Sequence, residues 1–196
     1  MNSDENIKLF NNFLSRIENI DLKKLWEKDT HFKEKYFDYI YEDLLKISNP
    51  NILEFGVHAG FSTSIFLDIC KINNGKLFSV DVADFSKSFD DPNWKFIKSR
   101  DDDFDLIKSQ IPKEIDILYI DSLHEADHVN KLIYAYYPLL KKDGYLFIDD
   151  ISHLPYLTKM PRDNFYCEIN NKETFDSLLA IYLKNYENFD LNFSFS

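Results

Sequence analysis

Apolar side chains recur at three- and four-residue spacing near the start of the chain, at Ile7, Phe10, Phe13, Leu14 and Ile17. That is the period of one helix face. After a polar stretch the same period returns at Tyr36, Tyr39, Ile40, Leu44 and Leu45, so residues 4–47 read as helical. Ser48-Asn49-Pro50-Asn51 ends the pattern, because proline disfavours a helical residue before it. From Asn51 onward short apolar runs alternate with helical stretches. Strands are predicted at Asn51–Phe55, Lys76–Val80, Trp94–Lys98, Ile115–Ile120 and Tyr145–Ile148. Helices are predicted at Ser62–Ile72, Phe104–Gln110 and Ala126–Leu140. The last of these should end at Lys141-Lys142-Asp143-Gly144, where cations meet the negative helix end and glycine follows. In the tail, Ser152–Asn171 reads as a long loop, Glu173–Tyr186 as a helix and Leu191–Phe195 as a sixth, alternating strand.

Strands that alternate with helices, several of them without polar alternation, predict a mostly parallel α/β sheet covered on both faces. The expected arrangement is an N-terminal helical cap over residues 1–49 and a doubly wound unit over 50–196, together one structural domain. The 196 residues suit that size, and 44% hydrophobic and 16% aromatic content allow a proper core. With 23 basic against 34 acidic side chains the net charge is −11. This argues against a broad grip on nucleic-acid phosphates and against a polybasic membrane surface. Cys70 and Cys167 are too few for a disulfide framework and read as buried free thiols in a reducing compartment. The polar opening MNSDENIKLF is unlike a signal peptide, and no apolar run reaches the ~18 residues of a membrane span. A cytoplasmic location without membrane attachment is expected. The cap and a short sheet edge leave room for homo-oligomer formation.

The chain has four glycines, so each one is informative. Two lie in Glu54-Phe55-Gly56-Val57-His58-Ala59-Gly60, where the first strand turns into a helix. In a doubly wound sheet this is the edge at which ligands bind. Gly56 would let backbone approach a ligand, Gly60 would let helix and strand pack closely, and Ser62 and Thr63 are expected to cap the helix. Asp81 ends the second strand, where a carboxylate reaches ribose hydroxyls, although it also suits a turn cap.

Glu54-x-Gly56-x-x-x-Gly60 with Asp81 resembles the S-adenosylmethionine site of class I methyltransferases, which implies a Rossmann-like fold. The resemblance puts the glycine loop under the methionine part and Asp81 at the ribose. Asp101 or Asp102, in Ser99-Arg100-Asp101-Asp102-Asp103, would meet the adenine. The spacing does not choose between those two, and a solvated acidic turn is the plainer reading of the run.

Ile120-Asp121-Ser122-Leu123-His124 and Ile148-Asp149-Asp150 follow the fourth and fifth strands. Three carboxylates and an imidazole then share one edge, and acids so placed call for a hard divalent ion such as Mg2+. A metal there would lower the pKa of a substrate hydroxyl, and His124 would remove its proton. This layout, with Pro138-Leu139-Leu140-Lys141-x-x-Gly144, resembles the metal-dependent macrocin and mycinamicin type of sugar O-methyltransferases. The resemblance implies Asp121, Asp149 and Asp150 as metal ligands, His124 as base, and a sugar-containing small-molecule acceptor. It spans about residues 50–151, and Leu123 stands where relatives commonly carry an acid.

His124-Glu125-Ala126-Asp127-His128 also fits H-E-x-x-H, the signature of a zinc hydrolase, without a third ligand at a familiar spacing. A nucleic-acid methyltransferase lacks its expected loop after the fourth strand, and a non-catalytic cofactor-binding domain is the remaining alternative. His31 and His128 read as surface residues. His153 is a weaker candidate for lining the site, and Trp26 and Trp94 read as core or interface. Tyr156, Phe165 and Tyr166 in the long loop are candidates for stacking on an acceptor.

Overall fold

The computed structural model describes residues 3–151 and 165–191. Four helices come first: α1 (Ser3–Arg16), α2 (Ile20–Lys28), α3 (Thr30–Tyr39) and α4 (Tyr41–Leu44). The helical stretch breaks because Asn19 and Asp29 cap new helices, their side chains accepting from the backbone N–H of Leu22 and Phe32 respectively. The sheet then alternates with helices in the order β1 (Asn51–Phe55), α5 (Phe61–Asn73), β2 (Lys76–Asp81), β3 (Trp94–Lys98), α6 (Phe104–Gln110), β4 (Ile115–Ile120), α7 (Ala126–Tyr136) and β5 (Leu140–Ile148). A helix α8 (Phe165–Asn185) follows. All four strand pairings are parallel, in the spatial order β3-β2-β1-β4-β5. This is the α/β, Rossmann-like doubly wound arrangement expected from the sequence.

Alternate residues of the buried strands feed two cores. On one face Leu77, Ile117 and Tyr119 pack with α5 and with Phe13, Trp26 and Tyr36 of the first three helices. On the other face Leu53, Phe55, Val80, Ile97 and Leu118 pack with Ile107 of α6 and with Val129, Leu132 and Tyr136 of α7. Trp26 ties the helical segment down: its ring meets Phe13 edge-on at 5.1 Å and Phe61 at 4.9 Å. Its indole N–H donates to Ser64 Oγ at 2.9 Å. Each such aromatic pair adds about 0.5–1.5 kcal/mol beyond its buried area. Ile7 and Tyr39, counted on the apolar helix faces in the sequence, are instead exposed. Cys70 is a buried free thiol, and burial pushes its pKa up to about 12.

Three boundaries differ from the sequence reading by more than three residues. Helix α7 stops at Tyr136 and passes through a 3-10 turn, Tyr137–Leu139, because Pro138 has no N–H to continue the ladder. Lys141-Lys142-Asp143-Gly144 therefore lie within β5, whose register with β4 shifts between Ile115 and Ile117. Lys141 bonds the Asp116 carboxylate there at 2.8 and 3.0 Å. Helix α8 begins at Phe165, so residues 165–171, read from the sequence as loop, are helical. The remainder of that loop and the strand expected at Leu191–Phe195 lie outside the described residues, apart from Ser152's neighbour Ile151 and from Leu191, which belong to no strand.

Candidate functional site

The sheet order reverses between β1 and β4, and each ladder runs one residue past its strands. Gly56 N–H donates to Val80 O, Asp121 N–H to Phe55 O and Asp149 N–H to Ile120 O, all at 2.9 Å. Gly56, Asp81, Asp121 and Asp149 thereby stand side by side at the carboxyl edge, the crevice where α/β sheets bind ligands. Backbone closeness fixes Gly56: its φ is +94°, and a Cβ there would come within 2.0 Å of Asp121 O. His58 in the same loop also has a left-handed φ of +42°. A cavity of about 230 Å³ separates the loop from α2, between Asn19 and Leu22 on one side and His58, Gly60 and Phe89 on the other.

Glu54 lies fully buried beneath this loop. Its Oε2 accepts from Thr63 Oγ1 at 2.9 Å and from Ser79 Oγ at 2.6 Å, while Oε1 is buried without a close hydrogen-bond partner among the described residues. Burial raises its pKa to about 7, against the lowering effect of the hydroxyls of Ser62, Ser79 and Thr63. Thr63 thus serves Glu54 rather than the helix: Gly60 is the N-cap of α5, without a side-chain cap, which corrects the capping role expected for Ser62 and Thr63. Asp81 accepts the N–H of Val57 on Oδ2 and of Ala83 on Oδ1, both at 2.9 Å. Of the two candidate adenine acids, Asp101 accepts from Ser122 Oγ and meets His128 Nε2 at 2.9 Å, whereas Asp102 pairs with Arg100. His128, expected on the helix surface, is buried by this contact.

At the neighbouring end of β4 and β5, ligand atoms of Asp121, His124 and Asp150 lie within 4.8 Å of one another. His124 Nε2 is 3.4 Å from Asp150 Oδ2 and 3.8 Å from Asp121 Oδ1. Asp150 reaches the group from a left-handed backbone, φ +51°, a conformation tolerated by aspartate and frequent at functional sites. Thr174 of α8 donates to the His124 carbonyl and braces the loop. Burial and the Asp149 charge raise the pKa of Asp121 to about 7, against the ammonium of Lys35. Asp149 does not join the convergent set. Its Oδ2 holds Lys35 and, at 2.6 Å, the Tyr119 hydroxyl, and its Oδ1 accepts the Asp150 N–H. Burial disfavours its charge, yet Lys35 and these hydrogen bonds bring its pKa below the usual carboxylate value.

Sequence reasoning missed Lys35, and it read Tyr36 only as a helix-face residue and Tyr119 only as part of a strand. Tyr36 and Tyr119 share a hydrogen bond of 3.0 Å under the acids, and burial raises both phenols well above their ordinary pKa. The H-E-x-x-H pattern is not realised on one helix face, since α7 starts at Ala126 and the two imidazoles meet different carboxylates. Side chains of His31, His153, Tyr156, Phe165, Tyr166 and Cys167 lie outside the described residues. Among the described residues no helix is long and apolar enough to cross a membrane.

A family model described as a methyltransferase domain matches residues 53–151, the span from β1 to the end of the acid cluster. Among solved structures, the chain is similar to the MycE methyltransferase of the mycinamycin biosynthetic pathway, solved with Mg, SAH and mycinamycin VI. The TM-score is 0.58 at 21% identity over 78% of this chain and 42% of that one. It is also similar to the SAH-bound methyltransferase PaMTH1 of Podospora anserina, with TM-score 0.55 and 14% identity over 92% and 79% of the two chains. A third is apo CalS11, a TDP-rhamnose 3'-O-methyltransferase of calicheamicin biosynthesis, with TM-score 0.51 and 12% identity over 74% and 76%. The chain spans less than half the length of the MycE protein. No curated protein sequence matches it.

Proposed function

The chain belongs to the methyltransferase-domain family, and from that premise we propose that it transfers the methyl group of S-adenosylmethionine to a hydroxyl of a sugar or glycosylated small molecule, with magnesium at the acid cluster. The observation that carries this reading is the convergence of Asp121, His124 and Asp150 beside the glycine loop. Residues 1–49 act as a cap on the catalytic unit of residues 50–196. The donor sets suit both groups. Glu54 Oε1, buried and without a partner among the described residues, suits an ammonium such as that of the cofactor's amino-acid end. The Asp81 oxygens each keep a lone pair for ribose hydroxyls. Asp121 and Asp150 offer the carboxylate oxygens that a hard cation takes, and its charge would relieve the repulsion that raises Asp121.

Magnesium bound there would acidify the acceptor hydroxyl. His124, facing Asp121 and Asp150, accepts the proton that this hydroxyl gives up as its oxygen takes the methyl group. Thr174 holds the loop that presents the ring. Similarity to MycE, solved with mycinamycin VI, and to CalS11, a TDP-rhamnose 3'-O-methyltransferase, supports a sugar-bearing acceptor. The test is calorimetric titration of S-adenosylmethionine followed by turnover on a panel of glycosylated acceptors, with His124→Ala as comparison. The variant should keep cofactor affinity and lose about 10²–10⁴-fold in kcat. Full turnover in the variant would remove His124 as the base, and no cofactor binding by the wild type would remove the enzyme reading.

A further inference from the structure

The helical cap delivers a cation to the acid cluster. Lys35, on α3, is 7% exposed, and its ammonium sits on Asp149 Oδ2 with the Tyr119 hydroxyl 3.3 Å away. Three rings surround it: Phe32, Tyr36 and Tyr119, with centroids at 5.5, 5.3 and 5.8 Å. An ammonium this deep loses most of its hydration and persists only where a carboxylate and ring faces replace it. The sequence separates Lys35 from Asp149 by 114 positions, so the contact is made by the docking of the cap and by nothing local.

The placement has a consequence for charge. Three carboxylates crowd this edge, and Lys35 neutralises the one that lies outside the convergent set. Two carboxylates, Asp121 and Asp150, remain to receive a divalent ion. Magnesium keeps several positions for water or substrate and binds weakly where few carboxylates are offered. An acceptor that adds its own oxygens would then complete the coordination.

We infer that Lys35 is a positioning residue that sets cation affinity by holding Asp149 out of the ligand set. This rests on the magnesium reading above. Without the ammonium, Asp149 is free to join Asp121 and Asp150, and the site changes from an acceptor-dependent cation site into a tight one. A lysine that served only to staple the cap would alter stability and leave cation affinity where it was.

The experiment measures Mn2+ binding by electron paramagnetic resonance on the full chain, without cofactor or acceptor, and Asp121→Asn marks the site. Lys35→Met should bind Mn2+ at least about tenfold more tightly than wild type, because a freed carboxylate joins the two already offered. Lys35→Arg should stay within about threefold of wild type. The double variant Lys35→Met/Asp149→Asn should lose the gain, because the freed carboxylate is then absent. Circular dichroism reports the fold, and Lys35→Gln, which should also bind more tightly, replaces the methionine variant if that one does not fold. Site-specific binding by wild type that Lys35→Met or Lys35→Gln leaves unchanged overturns the inference and leaves the magnesium reading standing. Binding by the variant alone supports the inference and removes magnesium from the wild-type reading. Binding by neither overturns both.

Discussion

Glu54 makes the stability of this protein depend on pH in a direction opposite to that of most paired carboxylates. Burial lifts its pKa from 4.5 to about 7, and an interval of that size corresponds to about 3 kcal/mol. The folded protein holds a proton there that the unfolded chain has released above its own pKa. The stabilising contribution is therefore complete below pH 4.5, declines as pH rises, and is gone above about pH 7. Glu54→Gln keeps an oxygen to accept from Thr63 and Ser79 and removes the titration. Urea unfolding of both proteins at pH 5 and pH 8, without cofactor, isolates the effect, because every other titrating group is common to the pair. Wild type should lose about 2–3 kcal/mol more than the variant between the two pH values, a midpoint difference of about 1 M urea. Equal losses in the two proteins would refute the assignment of a buried, proton-holding Glu54.

Gly56→Ala must place a methyl group against the Asp121 carbonyl while keeping φ at +94°. It should destabilise by about 2–4 kcal/mol, seen as a fall of about 5–15 °C in Tm, and a change under 2 °C would contradict the close approach. Asp81→Asn removes the charge and retains one acceptor oxygen, so S-adenosylmethionine should bind about tenfold more weakly by calorimetry. An unchanged Kd would take Asp81 out of the ribose contact.

The central strands were legible because parallel strands covered on both faces read as mainly apolar runs, as Ile115–Ile120 does. Ile115–Ile120, Asn51–Phe55 and Trp94–Lys98 have the same bounds in sequence and structure. The helix end at Tyr136 was hidden because Lys141-Lys142-Asp143-Gly144 carries a helix-stop signal that here opens a bulged strand, while Pro138 carried the real one. The polar Asn170-Asn171-Lys172 masked the first turns of α8. Site positions at the sheet edge followed from strand order, since residues just past parallel strands must be neighbours. Partners brought from far along the chain had no such guide. Thr63 looks like a cap residue and bonds Glu54, His128 looks like a surface residue and meets Asp101, and Lys35 sits in a polar stretch whose significance appears only when α3 docks.

The interlock between the first helices and the sheet also has a bearing on synthesis. Trp26 leaves the ribosome 93 residues ahead of Tyr119, which shares its core cluster, an interval of about 5–20 s at ordinary elongation rates. Through that time Phe10, Phe13, Trp26 and Phe37 lack the sheet residues and the Ser64 hydroxyl that receive them in the finished fold. Docking of these helices is therefore a late step, one that waits for β4 to be made and for Tyr119 to complete the shared core.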